Sequence, residues 1–167
     1  MLRRSSWLVM SMPCDEFLAD GSLRAHRTSP QEIADLWQAV HRDLRDARSV
    51  SISADRRFAI AYNSALLLTK ITLAALGYRT ASGGGKHWVA LMAAQELLPQ
   101  EFSAMISYFN QCRRLRNTVE YDRAGLISER DAFELIVEAE NFGRGIYHWL
   151  QQNHPSLITA SLPLFTE

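Results

Sequence analysis

The stretch CRRLRNTVEYD, residues 112–122, gathers three arginines, an asparagine, a tyrosine and two acids. Arginine presents a planar fork of donors that suits phosphate and carboxylate oxygens. On a helix, Arg113, Asn117 and Tyr121 recur every fourth residue and share a face, while Arg116 has Glu120 one turn on. Two readings follow from that spacing. In one, Arg113, Arg114 and Arg116 grip phosphate with Asn117 and Tyr121 as hydrogen-bonding neighbours. In the other, Arg116 and Glu120 form an ion pair along a solvated helix, worth only about 0.3–0.5 kcal/mol. Spacing alone leaves both open.

Other reactive residues are sparser. SGGGKH, residues 82–87, invites a phosphate-loop reading, but the GxxxxGK[ST] pattern needs glycine where Thr80 stands and a hydroxyl residue where His87 stands, and it should follow a strand. A flexible turn between helices fits better. The histidines, His26, His41, His87, His148 and His154, show no HxxxH or HExxH spacing, so no metal site is expected. His87 opens a helix beside Lys86 and Trp88, where capping or packing is the plainer role and phosphate binding the functional one. Cys14 and Cys112 make neither a disulfide framework nor a metal centre.

The elements that must position these residues are helical, because no segment sustains two-residue alternation. Ser29 and Pro30 open a helix with Ile33, Leu36, Trp37, Val40 and Leu44 on one stripe. A long helix over 53–76 is apolar nearly all round and belongs at the centre of a bundle or under a partner. A short helix over 86–98 ends at Pro99. The arginines lie in the charged second half of a helix over 101–121, whose first half is apolar. Ser128 caps a last helix, running to 152, with Leu135, Ile136, Phe142, Ile146 and Trp149 on one stripe. The fold class expected is all-α, an antiparallel bundle of about five helices. Residues 1–28 form an irregular lead, 29–152 the bundle, and 153–167 a tail on the surface.

The chain has 167 residues, enough for one domain with a substantial core. Lys+Arg and Asp+Glu are both 18, so overall charge points to neither nucleic acid nor membrane, and any steering comes from local clusters. Nearly all the basic residues are arginine, with Lys70 and Lys86 the exceptions. The opening MLRRSSWLVMSMPC has too short an apolar run, broken by serine, for a signal peptide, and the longest apolar run carries Lys70 in its middle. A soluble, cytoplasmic protein with no membrane partner is expected.

Several segments, in order, resemble the HEPN family, the all-α domains named for higher-eukaryote and prokaryote nucleotide-binding associations. FLADGSLRAHRTSPQEI is similar to the family's lead-in and first helix, and SADRRFAIAYNSALLLTKITLAALGYR to its long second helix. GGGKHW resembles the glycine–histidine opening of the third. RRLRNTVEYD, followed by LISERDAFELIVEAENFGRGIYHWL, resembles the arginine-motif helix and the closing helix. The likeness covers roughly residues 17–155.

The resemblance implies a helical bundle that forms a dimer, with two arginine-motif helices facing each other across a cleft. It also implies, for many members, metal-independent ribonuclease activity, including toxins encoded beside a minimal nucleotidyltransferase antitoxin. The family's ribonuclease motif is an arginine, a polar neighbour and then a histidine, about four to six positions intervening, which on a helix is one to two turns. Arg116 matches the arginine and Asn117 the polar neighbour, while Tyr121 stands at the histidine position. Histidine exchanges protons near its pKa of about 6.5, whereas tyrosine, near 10, is a poor base. The RN…YD form therefore resembles a branch in which binding or partnering replaces cleavage.

The resemblance thus implies a homodimer that binds RNA or a nucleotide, in a toxin–antitoxin or HEPN–nucleotidyltransferase pair, without cofactor or metal. Arg116 would hold phosphate, Asn117 would fix the arginine or a ribose oxygen, and Tyr121 would donate a hydrogen bond. Arg113, Arg114 and His87 would complete the binding surface. Two alternatives stay open. One is a metal-independent endoribonuclease using Arg116, Asn117 and Tyr121. The other is a non-catalytic interaction module in which residues 113–122 form an intersubunit salt-bridge network.

Overall fold

A computed structural model describes residues 13–83, 85–121, 123–160 and 162–165 of the chain, without the side chains of Pro13, Glu120 and Tyr121. In chain order it contains α1 (Pro13–Ala19), β1 (Leu23–Ala25), α2 (Pro30–Ala47), α3 (Ala54–Ala75), β2 (Tyr78–Thr80), α4 (Lys86–Leu97), α5 (Ser103–Tyr121) and α6 (Glu129–Asn153). The described chain is mostly helical, with one two-stranded ribbon.

Three serines start three of the long helices by satisfying amides that have no partner inside the helix. Ser29 Oγ accepts from the Glu32 amide at 3.2 Å, and Ser53 Oγ from the Arg56 amide at 3.3 Å. Ser128 and Asp131 form a reciprocal capping box at the head of α6. Pro99 closes α4, and residues Gln100–Phe102 make a single 3-10 turn, so α5 begins at Ser103 rather than at 101.

α3 packs against α2 on one side and α6 on the other, with further contacts to α4 and α5. That position explains its apolar circumference. By length and composition it is the one helix among the described residues that could cross a membrane, yet 67% of its most apolar window is buried inside the protein. Trp37, Tyr62, Phe109 and Phe142 are fully buried, and Phe142 meets the rings of Phe109 and Phe102 edge-on at 5.2 and 6.0 Å.

Two expectations change. The lead 1–28 is not irregular throughout, because it contains α1 and β1. The Cys14 amide donates to Glu96 Oε2 at 2.8 Å, and Phe17 meets Trp88 edge-on at 5.3 Å, so α1 docks on α4. Two strands exist where none was expected: β1 pairs antiparallel with β2, Leu23 opposite Thr80 and Ala25 opposite Tyr78. At three residues each, they are too short to carry a two-residue period. The tail does run along the surface, and it is anchored there. Trp37 Nε1 donates to the Pro163 carbonyl at 2.8 Å, Leu162 is buried, and Phe165 stacks on His41 with ring centroids 4.2 Å apart. The signal-like residues 1–12 lie outside the described residues.

Candidate functional site

α5 is divided along its length. Ile106, Phe109 and Cys112 are buried in the core, and from Arg113 onward the helix runs along the edge of α3 with its cations half-buried or exposed. Arg113 Nε donates to Asn110 Oδ1 one turn earlier, at 3.0 Å. Arg114 is exposed, and its carbonyl accepts from Thr118 Oγ1 at 3.2 Å. Asn117 is half-buried. Tyr121 ends the helix, and its side chain, with the Arg116–Glu120 pairing, lies outside the described residues.

Arg116 meets a residue that local spacing could not nominate. Its guanidinium carbon sits over the ring of Tyr62 from α3, 5.6 Å from the ring centroid. The Tyr62 hydroxyl in turn lies 3.5 Å from Nδ1 of His87, the second residue of α4, with the two rings 5.9 Å apart. Arg116, Tyr62 and His87 are therefore a linked series across α5, α3 and α4. The structure brings His87 to the arginine helix, which its distance along the chain did not imply. Tyr62 was legible in the sequence only as one residue of a helix apolar nearly all round.

The electrostatics follow from this convergence. Burial holds the His87 imidazole below its usual range, and the cations Lys70, Arg116, Lys86 and Arg113 add to the effect. His87 is accordingly neutral at pH 7 and has a ring nitrogen able to accept a proton. Burial pushes the Tyr62 hydroxyl well above the ordinary tyrosine range, against the opposing pull of Arg113 and Arg116. Other hydroxyl and thiol groups nearby are no readier as nucleophiles. Cys112, beside Tyr108, is pushed up to about 11 by burial, and the Tyr108 hydroxyl is also raised, again chiefly by burial.

Two clefts, of about 210 and 250 Å³, flank Arg116, and Arg56 and Ala59 wall both. Acids line them as well. Asp55 in the first accepts from the Gly125 and Ile127 amides and so pins the turn before α6. Asp43 in the second accepts from Arg42 Nη2 at 2.7 Å and Asn63 Nδ2 at 2.6 Å. The cationic face is thus set among carboxylates, two of which are already hydrogen-bonded, so its positive charge is local rather than broad.

Among the described residues no group of three or more His, Cys, Asp or Glu is placed to hold a metal ion. The phosphate-loop question has a mixed outcome. A strand, β2, does precede the glycine run, but it belongs to an antiparallel ribbon, and Thr80 and His87 still break the pattern. No protein-family model matches the chain, and no curated protein or solved structure matches it either.

Proposed function

We propose that the chain is a HEPN-like protein that binds RNA or a nucleotide through phosphate. In this reading two antiparallel helical bundles pair with their α5 helices facing, and the homodimer works in a toxin–antitoxin or nucleotidyltransferase-paired system. The observation that carries the proposal is the placement of Arg116 against Tyr62, with Arg113 on the same helix and His87 at the tyrosine hydroxyl. A guanidinium already held against a ring loses little freedom when a phosphate arrives, so less of the interaction is spent on ordering it. Leu115, exposed between the arginines of α5, offers the second copy an apolar contact.

RNA affinity measured against salt concentration tests the reading. Binding weakens steeply with added salt in the wild type. Arg116→Ala lowers affinity by about tenfold and makes the slope shallower by about one unit for each phosphate it no longer neutralises. Absence of salt-sensitive binding would defeat the proposal in favour of a purely structural interaction module.

One observation favours a second reading, metal-independent cleavage. His87 is neutral and shares a cluster with Arg116, so it supplies the imidazole that Tyr121 does not. Incubation of a mixed RNA pool with the protein in EDTA separates the possibilities. Cleavage abolished by His87→Ala and Arg116→Ala but kept in Tyr121→Phe would make His87 the base. Cleavage abolished by Tyr121→Phe would return the role to Tyr121. No cleavage leaves binding alone.

A further inference from the structure

Another cavity, of about 240 Å³, lies beside the glycine run, with Lys70 of α3, Arg79 and Thr80 of β2, Ser82, and Lys86 of α4 on its wall. Lys70 and Lys86 are the chain's two lysines, and the fold brings both to this one place. Among the described residues neither makes a salt bridge or a hydrogen bond. Burial, and then the charge of Lys86, hold the Lys70 ammonium below its usual range, as expected of two like charges around one space.

The carboxylate on the wall does not relieve them. Glu32 is held by His26 Nε2 and by Thr28 Oγ1, each at 2.8 Å. Three cations therefore share one carboxylate that already has hydrogen-bond partners, and Arg79 is the one of them whose charge acts on Glu32. Hydroxyls of Thr80 and Ser82 add donors, and Leu36, Leu73 and Tyr78 supply an apolar wall. α4 starts at the same end without a side-chain cap, from Gly85 at φ 75°.

We propose that this cavity is a second anion site, distinct from the Arg116 surface, and that it takes a phosphate monoester borne on a sugar. Lys70, Lys86 and Arg79 hold the phosphate oxygens, and the sugar lies against Leu36, Leu73 and Tyr78. A free nucleoside monophosphate and the 5′ end of an RNA strand present the same group. The site does not depend on the Arg116 reading, because it shares no wall residue with the clefts around Arg116.

The test is calorimetric titration of the full chain with adenosine monophosphate, with adenosine, and with a short oligoribonucleotide carrying either a 5′-phosphate or a 5′-hydroxyl. The monophosphate binds and adenosine does not. Lys86→Gln and Lys70→Gln each weaken monophosphate binding by about tenfold or more, the decrease expected on removing one charge-assisted hydrogen bond. Any binding at the Arg116 surface is lost in Arg116→Ala, and the lysine-dependent component persists in that variant. Lys86 is half-exposed at a helix start, so its variant preserves the fold, and circular dichroism checks this. Lysine-dependent preference for the 5′-phosphorylated strand over the monophosphate identifies a strand end as the ligand, and the reverse identifies the free nucleotide. If no phosphorylated probe binds, if binding ignores both lysine variants, or if only Arg116→Ala abolishes it, the site is overturned.

Discussion

The two cationic regions of this molecule differ less in their own charge than in their surroundings. Around Arg116 the walls include Asp43, Asp46 and Asp55, and an aromatic face backs the guanidinium. Around Lys70 and Lys86 the one wall carboxylate has partners already, and among the described residues no ring lies under either ammonium. The first region is stabilised without a ligand. The second holds two lysines with no ion partner among the described residues, whose like charge an anion would relieve. A dense run of arginines thus marks where cations are, while their compensation is decided by residues from other helices.

Tyr62 offers the harshest way to break the comparison, since it supports Arg116 on its face and His87 at its hydroxyl. Tyr62→Ala empties a fully buried site and should lower stability by about 3–5 kcal/mol in urea denaturation. Tyr62→Phe keeps the packing and removes only the long hydrogen bond to His87, so it should cost less than about 1 kcal/mol. Equal decreases would mean that the hydroxyl, not the ring, carries the energy.

Opposite signs would sharpen the contrast further. Lys70→Met replaces a half-buried ammonium that has no ion partner among the described residues, and it should raise stability by about 1 kcal/mol. Arg116→Met removes a cation from the face of Tyr62 and should lower it by about 0.5–1 kcal/mol. Urea midpoints of the two variants, taken without phosphate in the buffer, decide the point. If both fall, the lysine cavity is as well compensated as the arginine face.

The smallest effect concerns acid. His87 binds its proton less readily folded than unfolded, because burial and the four cations oppose the charge. Unfolded histidine takes up a proton below about 6.5, so stability is full above that pH and declines as pH falls through it. Burial also lowers His41 and His154, so His87→Asn should remove part of the decline rather than all of it. Thermal unfolding at pH 7.5 and 5.5 measures the difference, and an unchanged slope in the variant would remove His87 from the cationic cluster.

Helices with strong local signals were readable from the chain. Serine caps at Ser29 and Ser128 and the stripes that follow them place α2 and α6 to within a residue or two, and the apolar run over 53–76 places α3 as closely, since capping and burial there are set within one helix. α1 escapes because seven residues offer too little periodicity, and its docking depends on Glu96 and Trp88, distant in sequence. The arginine helix was legible as a candidate site. Its partners Tyr62 and His87 were not, since the cluster joins three helices. The lysines carried a usable signal, their rarity, but nothing in local spacing says that residues 70 and 86 face one cavity.

The ribbon that joins β1 to β2 has a consequence of its own. It closes a long loop around α2 and α3, the kind of closure that folding reaches late and that local opening undoes first. Arg24 stands directly opposite Arg79 in it, a like-charge pair that weakens the strands it sits in. Because Tyr78, Arg79 and Thr80 also wall the lysine cavity, an anion there would offset that repulsion and hold the latch shut. Occupancy of the cavity and attachment of the N-terminal segment to the helices would then be a single linked equilibrium.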